Sequence, residues 1–131
     1  MILLDTCAII WLALEPAKLS KKAKHAIASA EEEGALLIAD ISWWEIAMLA
    51  KKGRLAMSVS SSEFSQLFIQ SYAPSVEPIS PAIAELSVNL DETFNKDPAD
   101  RIIAATGLLH NARVVTADRN LLDNKLLATT W

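Results

Sequence analysis

Short apolar runs alternate with longer amphipathic segments along the whole chain of 131 residues. The runs with strand character are Ile2–Leu4, Leu36–Ala39, 76–79, 113–116 and 126–129. The segments between them open at cap residues such as Ser20 and Ser80, which indicates helices. Parallel strands need helical crossovers, so this alternation predicts an α/β fold. We expect a central parallel sheet of four to five short strands with helices on both faces.

Bulk properties restrict the class of protein further. The length predicts a single domain covering residues 1–131. Cys7 is the single cysteine and cannot form an internal disulfide, which predicts a reducing, cytoplasmic compartment. The apolar N-terminal stretch is interrupted by Asp5 and is too short to cross a bilayer, so it predicts a strand and a helix rather than a membrane segment.

Four short motifs place carboxylates where a strand is expected to give way to a helix. They are Leu3-Leu4-Asp5-Thr6, Ser42-Trp43-Trp44-Glu45, Asp97-Pro98-Ala99-Asp100-Arg101 and Val114-Val115-Thr116-Ala117-Asp118. In an open parallel sheet these positions fall at the carboxyl edge, where ligands bind. Converging carboxylates repel one another unless a cation lies between them, and a hard divalent ion prefers oxygen ligands. The pattern therefore predicts metal-dependent phosphodiester chemistry.

Each acid also has a purely structural explanation. Asp5, Asp97 and Asp118 can cap the helices that follow them. Glu45 can complete a capping box with Ser42, and Asp100 suits the dipole of a first helical turn. Independent caps have no reason to be acids at one sheet edge, so their joint occurrence favours a shared crevice.

On these motifs, in this order and spacing, the chain resembles PIN-domain ribonucleases over nearly its whole length, in particular the VapC-type toxins of VapBC toxin–antitoxin pairs. The resemblance implies an acidic catalytic quartet at Asp5, Glu45, Asp100 and Asp118, with metal held by Asp5, Asp100 and Asp118. It also implies supporting roles for Thr6, Ser42, Asp97 and Thr116.

The same resemblance implies an activity and a set of partners. The activity is Mg²⁺-dependent endoribonuclease cleavage, with Mn²⁺ as a possible substitute, by the toxin of a type II pair. The partners are RNA, a cognate VapB-type antitoxin and a second copy of the chain as a homodimer. DNA would be contacted only through the antitoxin, and no membrane is involved. One branch of the family commonly carries His and Phe where this chain has Asn95 and Ala99, so no histidine role transfers.

Two other functional classes fit parts of the sequence. A strand followed by Asp-Thr also opens phosphotransferases with an aspartyl nucleophile, but such enzymes resembling haloacid dehalogenases carry a second acid where this chain has Cys7. An interaction module with a degenerate site is the non-enzymatic alternative. The net charge of −4 argues against non-specific nucleic-acid binding. Two basic runs could still track phosphates or simply be solvated: Lys18, Lys21, Lys22 and Lys24, and Lys51, Lys52 and Arg54.

Overall fold

A single parallel sheet forms the centre of the computed structural model, which describes residues 1–94 and 96–131. Its strands are β1 (Ile2–Leu4), β2 (Leu36–Ala39), β3 (Ser75–Glu77), β4 (Arg113–Val115) and β5 (Thr129–Thr130). They lie in the order β3-β2-β1-β4-β5, and every neighbouring pair is parallel. The predicted α/β class and the five-stranded parallel sheet are confirmed.

Three predicted strands differ from the observed ones, the fourth only by ending at Val115 rather than at residue 116. The third was expected at 76–79 but ends at Glu77, because Pro78 has no N–H to donate to the ladder. The fifth was expected at 126–129, and this placement is wrong: only Thr129–Thr130 forms the strand, with Thr129 opposite Val114. The Asn124 side chain accepts from the N–H of Leu126, which makes the preceding segment a turn.

The helices are α1 (Thr6–Leu14), α2 (Lys21–Glu32), α3 (Ile41–Lys51), α4 (Ser61–Tyr72), α5 (Pro81–Asn89), α6 (Pro98–Leu109) and α7 (Arg119–Leu122). A 3-10 turn at Pro16–Lys18 follows α1. Serine hydroxyls cap three helices, each accepting from the N–H three residues further on: Ser20, Ser60 and Ser80. None of the described helices has both the length and the apolar character needed to cross a membrane.

The sheet separates two hydrophobic cores. Leu4 of β1 faces a core built with residues of α1, α2, α3 and α4, such as Ile9 and Ile46. Its neighbour Leu3 points the other way, into a core with α6 that includes Ile103 and Leu121. Both faces of the sheet are therefore covered by helices, as the sequence predicts.

The strand order places a switch between β1 and β4. From β1 the chain adds β2 and β3 on one side, and β4 and β5 lie on the other side. Open α/β sheets bind ligands in the crevice outside the carboxyl ends of the two strands at such a switch. Asp5 directly follows β1 and Asp118 follows β4, so both residues lie at this crevice.

Candidate active site

A cleft of about 480 Å³ opens at the carboxyl edge of the sheet, within the size range of small-molecule sites. All four predicted catalytic acids line it, together with Thr6, Cys7 and Ala117. The rest of the lining comes from Ile10, Trp11, Glu15, Lys18, Leu49, Arg54 and Leu55. The structure therefore brings together Asp5, Glu45, Asp100 and Asp118, which are far apart in the sequence.

Asp5 is buried at the point where β1 passes into α1. Its Oδ1 accepts from the Thr6 N–H at 2.7 Å, so the predicted helix cap is present. Its Oδ2 accepts from the Thr116 hydroxyl at 2.7 Å, which ties the end of β1 to the end of β4. The two bonds fix the orientation of the carboxylate in the cleft.

Glu45 projects from the second turn of α3. The predicted capping box with Ser42 is wrong, because α3 begins at Ile41 after Asp40 and not at Ser42. The Glu45 Oε1 instead accepts from the hydroxyl of Thr6. The hydroxyls of Thr6 and Ser42 lie 2.9 Å apart and share a hydrogen bond. Thr6 and Ser42 thus connect Glu45 to the start of α1, which gives Glu45 a position in the cleft rather than at a helix end.

Asp97 and Asp100 belong to the start of α6. The expectation that their motif follows a strand is wrong, since the element before α6 is α5 and the connecting segment carries Leu90 and Phe94 into the core. Asp97 is the N-cap and accepts from the N–H groups of Ala99 at 2.9 Å and Asp100 at 3.3 Å. Asp100, in the first turn of α6, lines the cleft. Asp97 lines an adjoining recess with Trp44, Glu45 and Lys52.

Asp118 caps α7 by accepting from the N–H of Asn120 at 2.9 Å, as predicted. Its own N–H donates to the Thr116 hydroxyl at 3.0 Å. Thr116 is fully buried. Its hydroxyl links Asp5 and Asp118, because it donates to Asp5 and accepts from the Asp118 N–H. Asn95, the position compared with a family histidine, lies outside the described residues. Ala99 is buried at the base of α6.

The carboxylates raise one another's pKa values. Burial, followed by the charges of Asp5 and Asp118, raises the pKa of Asp100 from 3.8 to about 8. Burial also raises the pKa of Asp5, against the lowering effect of its hydrogen bond from Thr116. Burial raises the pKa of Glu45 as well, with a smaller contribution from the charge of Asp5. Ionisation of these carboxyl groups is therefore unfavourable in the free site, and a bound cation would favour it.

Cys7 also lines the cleft but is not an activated nucleophile. Burial and the charge of Asp5 raise the pKa of its thiol to about 12, so the thiolate is a negligible species at neutral pH. Its Sγ lies 3.6 Å from Oδ2 of Asp5. The side chain is partly buried.

The donor set of the cleft suits a hard divalent cation. Carboxylate oxygens are the preferred protein ligands of Mg²⁺, and the cleft supplies the carboxylates of Asp5, Glu45, Asp100 and Asp118 together with the hydroxyl of Thr6. Within residues 1–94 and 96–131, no three His, Cys, Asp or Glu side chains form a ready-made metal-binding group.

The sequence motifs missed the basic end of the cleft. Lys18 and Arg54 line it, one from each of the two basic runs. Lys21, Lys22 and Lys24 lie on α2 and do not line it. Lys18 and Arg54 lie beyond the ends of α1 and α3, the helices that carry Thr6 and Glu45 near their starts, but Lys52 also follows α3, so position along the chain alone does not single them out.

Comparison with known proteins agrees with this arrangement. The family model of the PIN domain matches residues 2–125. The chain is 37% identical over 126 residues to Ribonuclease VapC22 of Mycobacterium tuberculosis (strain ATCC 25618 / H37Rv), covering 95% of this chain and 92% of that protein.

Solved structures with the same fold include two toxin–antitoxin assemblies. A toxin-antitoxin complex from Klebsiella pneumoniae superimposes with a TM-score of 0.67 at 24% identity, over 100% of this chain and 98% of that one. DNA-bound VapBC from Salmonella typhimurium gives 0.71 at 15% identity, over 98% and 96% of the two chains. At these identities the structures establish the fold alone. The family match across 2–125 and the relative at 37% identity show that this chain is a member of the PIN-domain family.

Proposed function

We propose that this protein is a divalent-metal-dependent endoribonuclease and the toxin of a toxin–antitoxin pair. The observation that carries the proposal is the convergence of Asp5, Glu45, Asp100 and Asp118 in one cleft of a PIN domain. The similarity to a ribonuclease at 37% identity supports RNA as the substrate.

The proposed roles follow from the contacts of each side chain. Asp5, Asp100 and Asp118 would hold Mg²⁺ or Mn²⁺, which would lower the pKa of a bound water and polarise the phosphate. Thr116 holds Asp5 and the backbone of Asp118 in register, because one hydroxyl contacts both. Asp97 fixes the first turn of α6 and so the position of Asp100.

Glu45 is proposed to orient the attacking water. Burial raises the pKa of Glu45, which makes its carboxylate a stronger base and suits a group that accepts a proton during hydrolysis. Thr6 and Ser42 hold it in place through their shared hydrogen bonds. No covalent intermediate on Asp5 is required, and the hydrogen bonds from Thr6 and Thr116 orient its carboxylate for metal binding through the remaining lone pairs.

The test is cleavage of total RNA by purified protein with MgCl₂ or MnCl₂, and with EDTA as the control. We expect Asp100→Asn and Glu45→Gln to lose cleavage by at least about a hundredfold, as expected when a charge-stabilising group is removed, while the melting temperature does not fall. Full cleavage by Asp100→Asn in magnesium would contradict the assignment. An active Glu45→Gln enzyme would leave Glu45 with only its structural bond to Thr6.

The proposed partners extend the same reading. Two structural neighbours are toxin–antitoxin assemblies, which supports a VapB-type antitoxin for this chain. We propose that a basic side chain of the antitoxin reaches the carboxylates of the cleft and forms charge-assisted hydrogen bonds there. We also propose a homodimer, a cytoplasmic location and contact with DNA only through the antitoxin.

A further inference from the structure

The cleft is not uniformly acidic: carboxylates line it from near the starts of α1 and α3, and the cations Lys18 and Arg54 line it from beyond the ends of the same two helices. Asp5 and Thr6 lie at the start of α1, and Glu15 and Lys18 lie just beyond its end. Glu45 lies near the start of α3, and Arg54 follows the end of that helix. All of these residues line the same cleft. From Thr6 to Glu15 the chain advances about 13 Å at about 1.5 Å per residue.

The segment between the two ends is apolar. Ile10 and Trp11 line it from α1, and Leu49 and Leu55 line it from α3 and the segment that follows. Charged groups at both ends and an apolar wall between them match the alternation of phosphate and nucleoside along a nucleic-acid strand. A distance of about 13 Å is the rise of about four stacked nucleotides in one strand.

The negative charge of the carboxylates opposes the approach of an anionic substrate, so cations elsewhere in the cleft are needed to offset it. Four ionised carboxylates exceed the charge of one divalent cation by two, so an approaching polyanion still meets net negative charge at the acidic end. Cations further along the cleft offset this repulsion and attract the backbone. Lys18 is suited to this because its ammonium group is held only by an exposed ion pair with Glu15, at 3.0 Å. Such a pair contributes little stability, so Lys18 can exchange Glu15 for a phosphate at little cost. The ammonium group also lies 5.7 Å from the ring centre of Trp11.

We propose that Lys18 and Arg54 bind backbone phosphates of the RNA within about four nucleotides of the scissile bond, an inference that rests on the proposed ribonuclease function. Glu15 opposes this binding, since it is a negative charge in the cleft and competes for Lys18. Lys18 and Arg54 are thus substrate-positioning residues, separate from the carboxylates that carry out the chemistry.

The proposal predicts opposite signs for neighbouring charge changes. Lys18→Gln and Arg54→Gln should each weaken RNA binding about two- to fivefold, the range for exposed ion pairs, and their combination should weaken it further. Each lost contact should lower the slope of log affinity against log salt by about 0.7. Glu15→Gln should strengthen binding. Lys24→Gln is the matched control, because it removes the same charge from an exposed position on α2 outside this cleft.

Binding is measured by fluorescence anisotropy with a fluorescein-labelled oligouridine in MgCl₂, using the Asp100→Asn background so that the probe stays intact. In cleavage assays with Asp100 restored, Lys18→Gln and Arg54→Gln should raise KM and leave kcat unchanged. Equal RNA affinity and salt slope for these variants and for Lys24→Gln would overturn the inference. It would also be overturned if the two variants weakened only the binding of a co-expressed antitoxin.

The anisotropy measurement does not depend on cleavage, so the two failures can be told apart. Failure of the wild-type protein to cleave RNA would count against the ribonuclease, whereas the anisotropy of the oligouridine would still decide whether Lys18 and Arg54 bind a nucleic-acid backbone.

Discussion

At the scale of single residues, the structural and functional explanations of the acids coexist. Asp5 and Asp118 cap helices as the sequence predicts, yet both line the cleft. A cap uses one carboxylate oxygen and leaves the other available. In Asp5 the second oxygen accepts from Thr116, so a hydroxyl at the end of β4 sets how the carboxylate faces the cleft. A capping role is therefore no argument against a catalytic one here.

Thr116 should be the most sensitive of the supporting residues. Replacing it by valine removes the donor to Asp5 and the acceptor for the Asp118 N–H while keeping the side-chain shape. We expect a loss of about 1–3 kcal/mol in unfolding free energy from the unsatisfied buried groups. We also expect a 10- to 100-fold loss of activity or Mg²⁺ affinity, typical of residues behind metal ligands. Thr116→Ser should restore both.

The measurement for this variant is the Mg²⁺ dependence of RNA cleavage together with urea unfolding. A merely structural role would lower stability and leave the apparent Mg²⁺ affinity of the folded fraction unchanged. Wild-type cleavage and metal affinity in Thr116→Val would therefore remove Thr116 from the site.

At the scale of elements, the sequence predicts local structure well and tertiary contacts poorly. The caps at Ser20 and Ser80 are found as predicted because each is a contact with the next turn. The capping box at Ser42 fails because its hydroxyl pairs with Thr6, which is remote in the chain. The acidic motif at the start of α6 is predicted to follow a strand, but a packed connection from α5 precedes it. Such pairings depend on which elements become neighbours, and local periodicity does not encode that.

The elements that meet at the sheet edge also predict a dependence of stability on pH. The folded-state pKa of Asp100 is raised from 3.8 to about 8, and that of Asp5 is raised too. A raised pKa means that the folded protein binds more protons than the unfolded chain between these values. This contribution to stability is fully present below about pH 4 and is lost as pH rises through about 8.

In EDTA, Asp100→Asn should therefore gain melting temperature relative to the wild type, and the gain should be larger at pH 8 than at pH 5. Added MgCl₂ should raise the melting temperature of the wild type most at the higher pH, because a ligand of the folded state stabilises it and the carboxylates are then ionised. Differential scanning fluorimetry at both pH values checks this. The idea fails if the difference between variant and wild type is the same at both pH values.

At the scale of the whole molecule, some large apolar side chains lie outside the two cores. The adjacent residues Trp43 and Trp44 show the division, as neighbours on a helix do not share a face. Trp43 packs against the core, with its ring 6.4 Å from that of Phe68. Trp44 is 57% exposed and lines the recess beside Glu45 and Asp97. A hydrophobic content of 52% predicts such surface, but the sequence does not say which tryptophan carries it.

This division leads to a prediction about assembly. Trp44→Ala should weaken association with the antitoxin, because the lost ring lies next to the acidic cleft that the antitoxin is proposed to enter, and it should leave the unfolding free energy nearly unchanged. Trp43→Ala should instead cost about 2–4 kcal/mol of stability, somewhat below the value for a fully buried ring, and affect association only through folding. Calorimetric titration with the cognate antitoxin, together with urea unfolding of each variant, separates the two effects. If Trp44→Ala bound that partner as tightly as the wild type, the antitoxin surface would have to lie elsewhere on the molecule.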